Sequence, residues 1–457
     1  MVRHLFGTDG VRGRAGHFLT AELALKLART AVARLEAERP QVLIIRDPRE
    51  SGEMLESAIA AGVAAAGGDA WLGGVLPTPA APLLVLRHGL DLAAVISASH
   101  NPYEDNGIKL FASDGFKLQD DTEHAIEAEL EMPPPPPAHI GRVRPFEGGL
   151  EDYLHQLEER FSGLDLRGRR VLLDCANGAT FQAAPEIFRR LGATLDVMAD
   201  QPDGVNINLR SGSTHLDGVI TRFSSGEYDV AFAFDGDGDR VLAVDRRGVV
   251  VDGDELIALA AFDLRALGRL PGNGVVVTVM TNYGFHTAME AAGIEVATTA
   301  VGDRYVLDEL RRRGWALGGE QSGHILELGF APTGDGIASA LLTLEALGGG
   351  DLADRHAMEK LPQRLVNIRA GGQAQLAAVM ADPGVEEAIA REHAGLTGRG
   401  RVLVRPSGTE PLIRVMVEAP SQQETDEICD RLRRVVEIAL LASGEETGPL
   451  PPNGGGA

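Results

Sequence analysis

The chain predicts an α/β protein in which three similar α/β units precede a smaller α+β domain, and three observations carry that expectation. The first is a weak repeat of apolar strand, polar loop, amphipathic helix and glycine. It occurs as VLIIRDPRESGEMLESAIAAGVAAAGG from Val42, VLLDCANGATFQAAPEIFRRLGA from Val171 and VVVTVMTNYGFHTAMEAAG from Val275. The second is the near-continuous Val, Ile and Leu content of those strand segments, which suits strands buried on both faces of a parallel or mixed sheet. The third is a change of pattern near Val366, after which helices mix irregularly with the strands RVLVRP and LIRVMVEA. Alternating strands and helices imply α/β layers joined by right-handed crossovers. At 457 residues the chain has room for about three or four domains, on a prior of ~100 to 200 residues each.

From the N-terminus, MVRHLFGTDGVRG lacks the apolar stretch of a secretory signal, and no segment sustains the roughly 18 apolar residues that span a bilayer. A soluble, cytoplasmic protein is expected. In the repeats, Gly67, Gly192 and Gly293 are placed to end the helices. The prolines at 133–137 predict an extended spacer near the end of the first domain. GEETGPLPPNGGGA, from Gly444, has little to bury and reads as a disordered tail. The net charge of -23 repels nucleic acid and anionic lipid, so neither is an expected partner, and an anionic substrate needs a local basic pocket. Cys175 and Cys429 lack CxxC spacing and read as buried free thiols in a reducing compartment.

The chemistry falls at strand ends, where LAAVISASHNP, DVAFAFDGDGDR and WALGGEQSGH each run from apolar to polar residues. Asp235, Asp237 and Asp239 alternate with Gly236 and Gly238, so three carboxylates converge only if a cation holds them; magnesium, which prefers hard oxygen ligands, is the natural candidate. An EF-hand is excluded by position, because the sixth and twelfth places counted from Asp235 are Arg240 and Arg246. Ser99 in SASHNP suits a phosphoryl carrier whose phosphate oxygen completes the metal shell, or a hydroxyl capping a turn; that motif alone does not choose. His100 beside it orders the loop through a hydrogen bond or takes part in the chemistry.

In RPSGTEPLIR, Arg405 and Arg414 offer charge-assisted bonds, Ser407 and Thr409 hydroxyls and Gly408 a close backbone N–H, an anion cradle or else a polar turn. Glu320, Ser322 and His324 in GEQSGH suit a grip on vicinal sugar hydroxyls, with a plain surface loop as the competitor. Arg12 and Lys109 are single basic residues beside glycines.

FGTDGVRG, ISASHNPYEDNGIKLF, DGDGDR, GGEQSGH and RPSGTEPLIRVM occur in the order seen in the α-D-phosphohexomutase superfamily, which the chain resembles from Arg3 to Ser443. Within it the chain is similar to the bacterial phosphoglucosamine mutases, on its FGTDGVRG opening and on Gln321, where phosphomannomutase/phosphoglucomutase relatives commonly carry methionine. The resemblance implies a four-domain, heart-shaped phosphohexomutase with domains at 1–150, 151–252, 253–365 and 366–443 and a tail at 444–457. These domains would carry, in turn, the phosphoserine, metal, sugar-binding and phosphate-binding loops.

It also implies that Ser99 is phosphorylated and shares one magnesium ion per chain with Asp235, Asp237 and Asp239. Arg240 and His100 would lie beside them, Lys109 and His324 would exchange protons, and Arg12 would be their electrostatic partner. Glu320 and Ser322 would bind the sugar, while Arg405, Ser407, Gly408, Thr409 and Arg414 would hold the phosphate that is not reacting. The implied reaction interconverts glucosamine 6-phosphate and glucosamine 1-phosphate through glucosamine 1,6-bisphosphate, for UDP-N-acetylglucosamine synthesis. Glucose or glucosamine 1,6-bisphosphate would be the activator and a homodimer the assembly. Phosphomannomutase or phosphoglucomutase activity is the near alternative. A metal-dependent glycosyltransferase and a non-catalytic sugar-phosphate sensor are the distant ones.

Overall fold

Four β-sheets organise the chain in the computed structural model, which describes residues 5–7, 9–132, 136–407 and 411–444. The first sheet contains β1 (Val11–Arg14), β2 (Gln41–Arg46), β3 (Asp69–Val75), β4 (Leu92–Ile96), β5 (Asp105–Ala112) and β6 (Val143–Pro145), in the order β1-β5-β4-β2-β3-β6. Its centre is parallel, β4 to β2 to β3 to β6, and β5 and β1 add an antiparallel edge. The apolar runs are buried as their composition requires: Val42, Ile44, Leu92 and Ile96 pack against Leu27, Ile59 and Val63 of the helices Ala21–Ala33 and Gly52–Ala65.

The second sheet contains β7 (Arg170–Asp174), β8 (Thr194–Met198), β9 (Val230–Phe234), β10 (Val241–Asp245) and β11 (Val250–Val251), in the order β11-β10-β9-β7-β8. The third contains β12 (Gly274–Thr278), β13 (Glu295–Thr299), β14 (Leu317–Gly319) and β15 (Ile325–Glu327), in the order β13-β12-β14-β15. All three repeats are strand-loop-helix units, and Gly67, Gly192 and Gly293 follow their helices at φ +91°, +99° and +67°.

The chain divides into two compact bodies. The first contains these three sheets, from residues up to 281 and from 293–357; the second contains residues 282–292 and those from 358 onward. The helix of the third repeat, Tyr283–Ala292, therefore groups with the C-terminal body rather than with its own strand. The reason is local: Tyr283 N donates to buried Glu418 at 2.8 Å, and the Asn282 side chain both donates to and accepts from the Leu361 backbone at 3.0 Å.

The C-terminal sheet has β16 (Gln363–Arg369), β17 (Arg401–Pro406) and β18 (Leu412–Glu418), antiparallel in the order β16-β18-β17. Its core joins Ile413, Val415 and Val417 to Ile428, Leu432 and Val436 of the closing helix Gln422–Gly444. Of the proline spacer, residues 133–135 lie outside the described residues, as does the expected tail from 445. Among the described residues no helix is long and apolar enough to cross a membrane.

Candidate active site

In the first body, the ends of β4, β9 and β14 carry Ser99, the aspartates and the GEQSGH loop, while Lys109 lies within β5 and Arg12 within β1. Ser99 follows β4 in a buried loop at φ +53°, a left-handed conformation that costs a non-glycine residue ~1–3 kcal/mol and needs support around it. Its Oγ donates to Asp235 Oδ2 at 2.5 Å and lies 3.3 Å from His100 Nδ1. Gly236 lets this happen: a Cβ there would meet the Ser99 carbonyl oxygen at 2.6 Å, so the two loops could not close on each other.

Among the described residues, Asp235, Asp237 and Asp239 are the group able to hold a metal, with ligand atoms within 4.8 Å of one another and all three side chains buried. Besides the Ser99 bond to Asp235, one oxygen of each is tied back by the protein. Asp235 Oδ1 accepts from Arg240 N at 3.1 Å, Asp237 Oδ2 from Thr78 Oγ1 at 2.7 Å and Lys109 Nζ at 2.8 Å, and Asp239 Oδ2 from Lys109 Nζ at 3.4 Å. Oδ1 of Asp237 and Oδ1 of Asp239 are buried without a hydrogen-bond partner, an arrangement that fits a hard divalent cation. Burial first, then Asp239 and Asp237, pushes the Asp235 carboxyl well above the usual range. Asp239 goes the other way, because Lys109, His324 and Arg240 outweigh its burial.

A band of alternating charge surrounds the cluster. Burial opposes the Lys109 ammonium, but Asp237, Asp9 and Asp239 outweigh it and hold its pKa well above the ordinary lysine value. Asp9 pairs with Lys109 at 3.0 Å and also with Arg12 and Lys117, and Lys117 reaches on to Asp303. His324 Nδ1 lies 3.6 Å from Asp239 and its Nε2 3.8 Å from Asp303; these carboxylates overcome its burial and raise its pKa. His100 is moved down to about 4 by burial, then by Arg240 and Arg12, so it is neutral at pH 7. The Arg240 guanidinium stands 3.3 Å from its Nδ1.

Ser99, Lys109, His100, Arg240, His324, Arg12 and the three aspartates thus form one network. Asp9, Lys117 and Asp303 belong to it as well and were missed in the sequence. One signal was available: only four of the 43 basic residues are lysines, and two of them, Lys109 and Lys117, are here.

The GEQSGH loop is fixed from both sides. Gln321 braces the N-cap of the helix Gly253–Ala266, its side-chain amide donating to the capping Asp252 at 3.1 Å and its backbone carbonyl accepting from Gly253 N at 3.0 Å. Gly323 (φ +88°) packs on β10, where a Cβ would meet the Val241 carbonyl oxygen at 2.1 Å. Glu320 accepts from Gly302 N at 3.0 Å and favours the charge of Arg240, whereas Ser322 is exposed.

In the C-terminal body, Arg405 on β17 stands directly opposite Arg414 on β18, which is opposite Asn367 on β16. Paired residues of antiparallel strands share a face, so the two guanidiniums and the amide form one polar row. Ser407 is buried where its N–H closes the hairpin on Leu412 O at 2.8 Å. Gly408 and Thr409 lie outside the described residues.

Comparison with known proteins agrees along most of the chain. Residues 3–133, 151–248 and 252–365 match α/β/α domains I, II and III of phosphoglucomutase/phosphomannomutase, and residues 365–435 match its C-terminal domain. A phosphoglucosamine mutase of Moorella thermoacetica is 47% identical over 441 residues, covering 94% of this chain and 98% of its own. The structure of a phosphoglucomutase/phosphomannomutase family protein from Burkholderia thailandensis superposes with TM-score 0.80 at 24% identity, over 96% of this chain and 98% of that one. Aspergillus fumigatus N-acetylphosphoglucosamine mutase, solved with GlcNAc-6P and magnesium, gives TM-score 0.69 at 18% identity, over 95% of this chain and 96% of that one. With all four domains matched in order and close identity to a relative over nearly its full length, the chain belongs to the phosphoglucomutase/phosphomannomutase family.

Proposed function

We propose that the protein interconverts glucosamine 6-phosphate and glucosamine 1-phosphate in the cytoplasm, with Ser99 as the phosphoryl carrier and glucosamine 1,6-bisphosphate as the intermediate. The observation that carries this reading is the buried Ser99 Oγ, 2.5 Å from Asp235 of a three-aspartate cluster. Full-length relatives named phosphoglucosamine mutase support the choice of an amino sugar.

Asp235, Asp237 and Asp239 would hold magnesium, which when bound supplies positive charge against the phosphoryl oxygens. In the first half-reaction the sugar's C1 hydroxyl oxygen bonds to phosphorus as the Ser99 Oγ–P bond breaks. The hydroxyl proton passes to a base, and an acid protonates the departing Ser99 oxygen. Lys109, held as an ammonium by its carboxylates, suits the donor role, and His324, 3.6 Å from Asp239, is the second group within the network able to exchange a proton. Arg240 and Arg12 add charge around the transferring group, and neutral His100 keeps the serine loop in order.

The bisphosphate then turns over. Its 6-oxygen–phosphorus bond breaks, Ser99 Oγ takes the group back, and glucosamine 1-phosphate leaves. Either end of the sugar must present a phosphate to the same cradle, the role proposed for the loop with Arg405, Ser407, Gly408, Thr409 and Arg414. Glu320 and Ser322 are proposed to bind the sugar hydroxyls. Glucose 1,6-bisphosphate would restore enzyme that has lost its phosphoryl group.

The test is transfer of label. Protein labelled on Ser99 from a radioactive sugar bisphosphate is mixed with unlabelled glucosamine 6-phosphate and magnesium. Label should appear in the amino-sugar esters at the rate of turnover; label that stays on protein while product accumulates would refute the relay.

A further inference from the structure

The segment IIRDPRE reads as a strand running into an ordinary charged turn, yet Arg49 in it is a fully buried arginine. Every N–H of its guanidinium is used. Nε donates to Asp47 Oδ2 at 2.9 Å, one terminal nitrogen donates to the carbonyl oxygens of Pro102 and of Asp105 (3.0 Å), and the other to those of Ser99 and Asn101, both at 2.9 Å. Four of the five bonds therefore gather the carbonyls of one loop, residues 99–105, around a single planar cation.

The same pair fixes the loop from its other side. Asp47 Oδ2 accepts from Ser97 Oγ at 2.6 Å, and Ser97 Oγ in turn accepts from the Ser99 N–H at 2.9 Å. The Asn208 amide completes the ring of donors, binding the Ser99 and Asn101 carbonyls at 2.9 and 3.2 Å. Serine has no intrinsic preference for the left-handed backbone at position 99, so these bonds decide where its oxygen points.

We propose that Arg49, backed by Asp47 and assisted by Asn208, is the positioning residue that aims the Ser99 oxygen at the aspartate cluster, and so sets the rate of phosphoryl transfer without touching substrate. The inference rests on the reading of Ser99 as the phosphoryl carrier. It requires arginine in particular. A lysine keeps the charge opposite Asp47, but its three N–H donors radiate from one atom and cannot span four carbonyls. Displacing a reacting atom by an ångström costs on the order of 100-fold in rate, while substrate affinity, set by other residues, is spared.

The experiment compares native protein with Arg49→Lys, Ser97→Ala and Asn208→Ala. Turnover is normalised to the fraction of chains that accept label from glucose 1,6-bisphosphate, and KM and kcat are separated. Arg49→Lys should lower kcat per labelled chain about 100-fold, with KM within about threefold of native; Asn208→Ala should lower kcat about tenfold. A kcat per labelled chain within about threefold of native in Arg49→Lys overturns the proposal, because a purely structural arginine would lower only the melting temperature and the folded fraction. If Arg49→Lys does not fold, Ser97→Ala decides: it cuts the Ser99 N–Ser97–Asp47 link, and unchanged kcat in it overturns the proposal. Native protein that takes no label overturns the carrier reading instead. Native protein that takes label but does not turn over glucosamine phosphates overturns only the choice of substrate.

Discussion

Around Ser99, three carboxylates face one another inside the first body, held by strand ends and by a lysine and arginines packed among them; on the C-terminal sheet, two arginines stand side by side at the base of a short hairpin. Each arrangement repels itself. The first is buried, and each carboxylate in it is held through at least one oxygen, which suits a reacting centre. The second is half-buried on a three-stranded sheet. The comparison teaches that burial separates the two: the negative charges are fixed among strand ends inside the first body, whereas the paired positive charges lie half-buried on the sheet of the second.

The sharpest way to break this division is Ser99→Ala, which should reduce multiple-turnover isomerisation by more than ~10⁴-fold while leaving the melting temperature near native, measured by coupled assay and calorimetry. Asp235→Asn comes next. It should lower kcat roughly 10²–10³-fold, yet melt at the same or a higher temperature than native protein in chelator, since Asp235 is the carboxyl whose ionisation its neighbours oppose. Magnesium should raise the melting temperature of native protein and not of this variant; an equal rise in both would remove the metal from the cluster.

On the C-terminal side, Arg414→Ala should lower kcat/KM roughly 10–100-fold, as expected for a charge-assisted contact worth ~1.5–3 kcal/mol. It should leave labelling of Ser99 by excess bisphosphate intact. A loss of Ser99 labelling at saturating bisphosphate would erase the distinction between the two regions.

The smallest effect is on pH dependence. Burial, then Arg401, lowers His286 of the C-terminal body from 6.5 to about 4. Between those values the unfolded chain holds a proton that the folded chain does not, so stability rises with pH across that window and is lost as pH falls through it. His286→Gln should flatten this part of the melting curve by less than ~2 kcal/mol, allowing for partial solvent screening; an unchanged slope would show that other groups of this body carry it.

Legibility in the sequence followed how local each feature is. The aspartate cluster could be read because its carboxylates alternate with glycines within five residues, and the arginine pair because a short turn joins its two strands. Gln321 was read as a mark of subfamily; the fold gives it a physical task, bracing Asp252, which caps the helix that begins at Gly253. Scarcity of lysine could have flagged Lys117, but its pairing with Asp9 and Asp303 could not be read, because the three lie in distant segments that look like ordinary turns. Arg49 was hidden for a different reason: nothing in RDPRE distinguishes an arginine reaching solvent from one folded inward onto a loop 50 residues away.

By itself the sequence determined the strand and helix periods, the glycines that permit close loops, and the types of ligand atom available, because these depend on neighbours along the chain. Only the tertiary structure decided which charges meet, that Ser99 is held left-handed against Asp235, and that the third repeat's helix joins the C-terminal body. Those outcomes depend on burial. A charge taken out of water must find its opposite from wherever in the chain the fold supplies one, and no pattern along the sequence encodes that pairing.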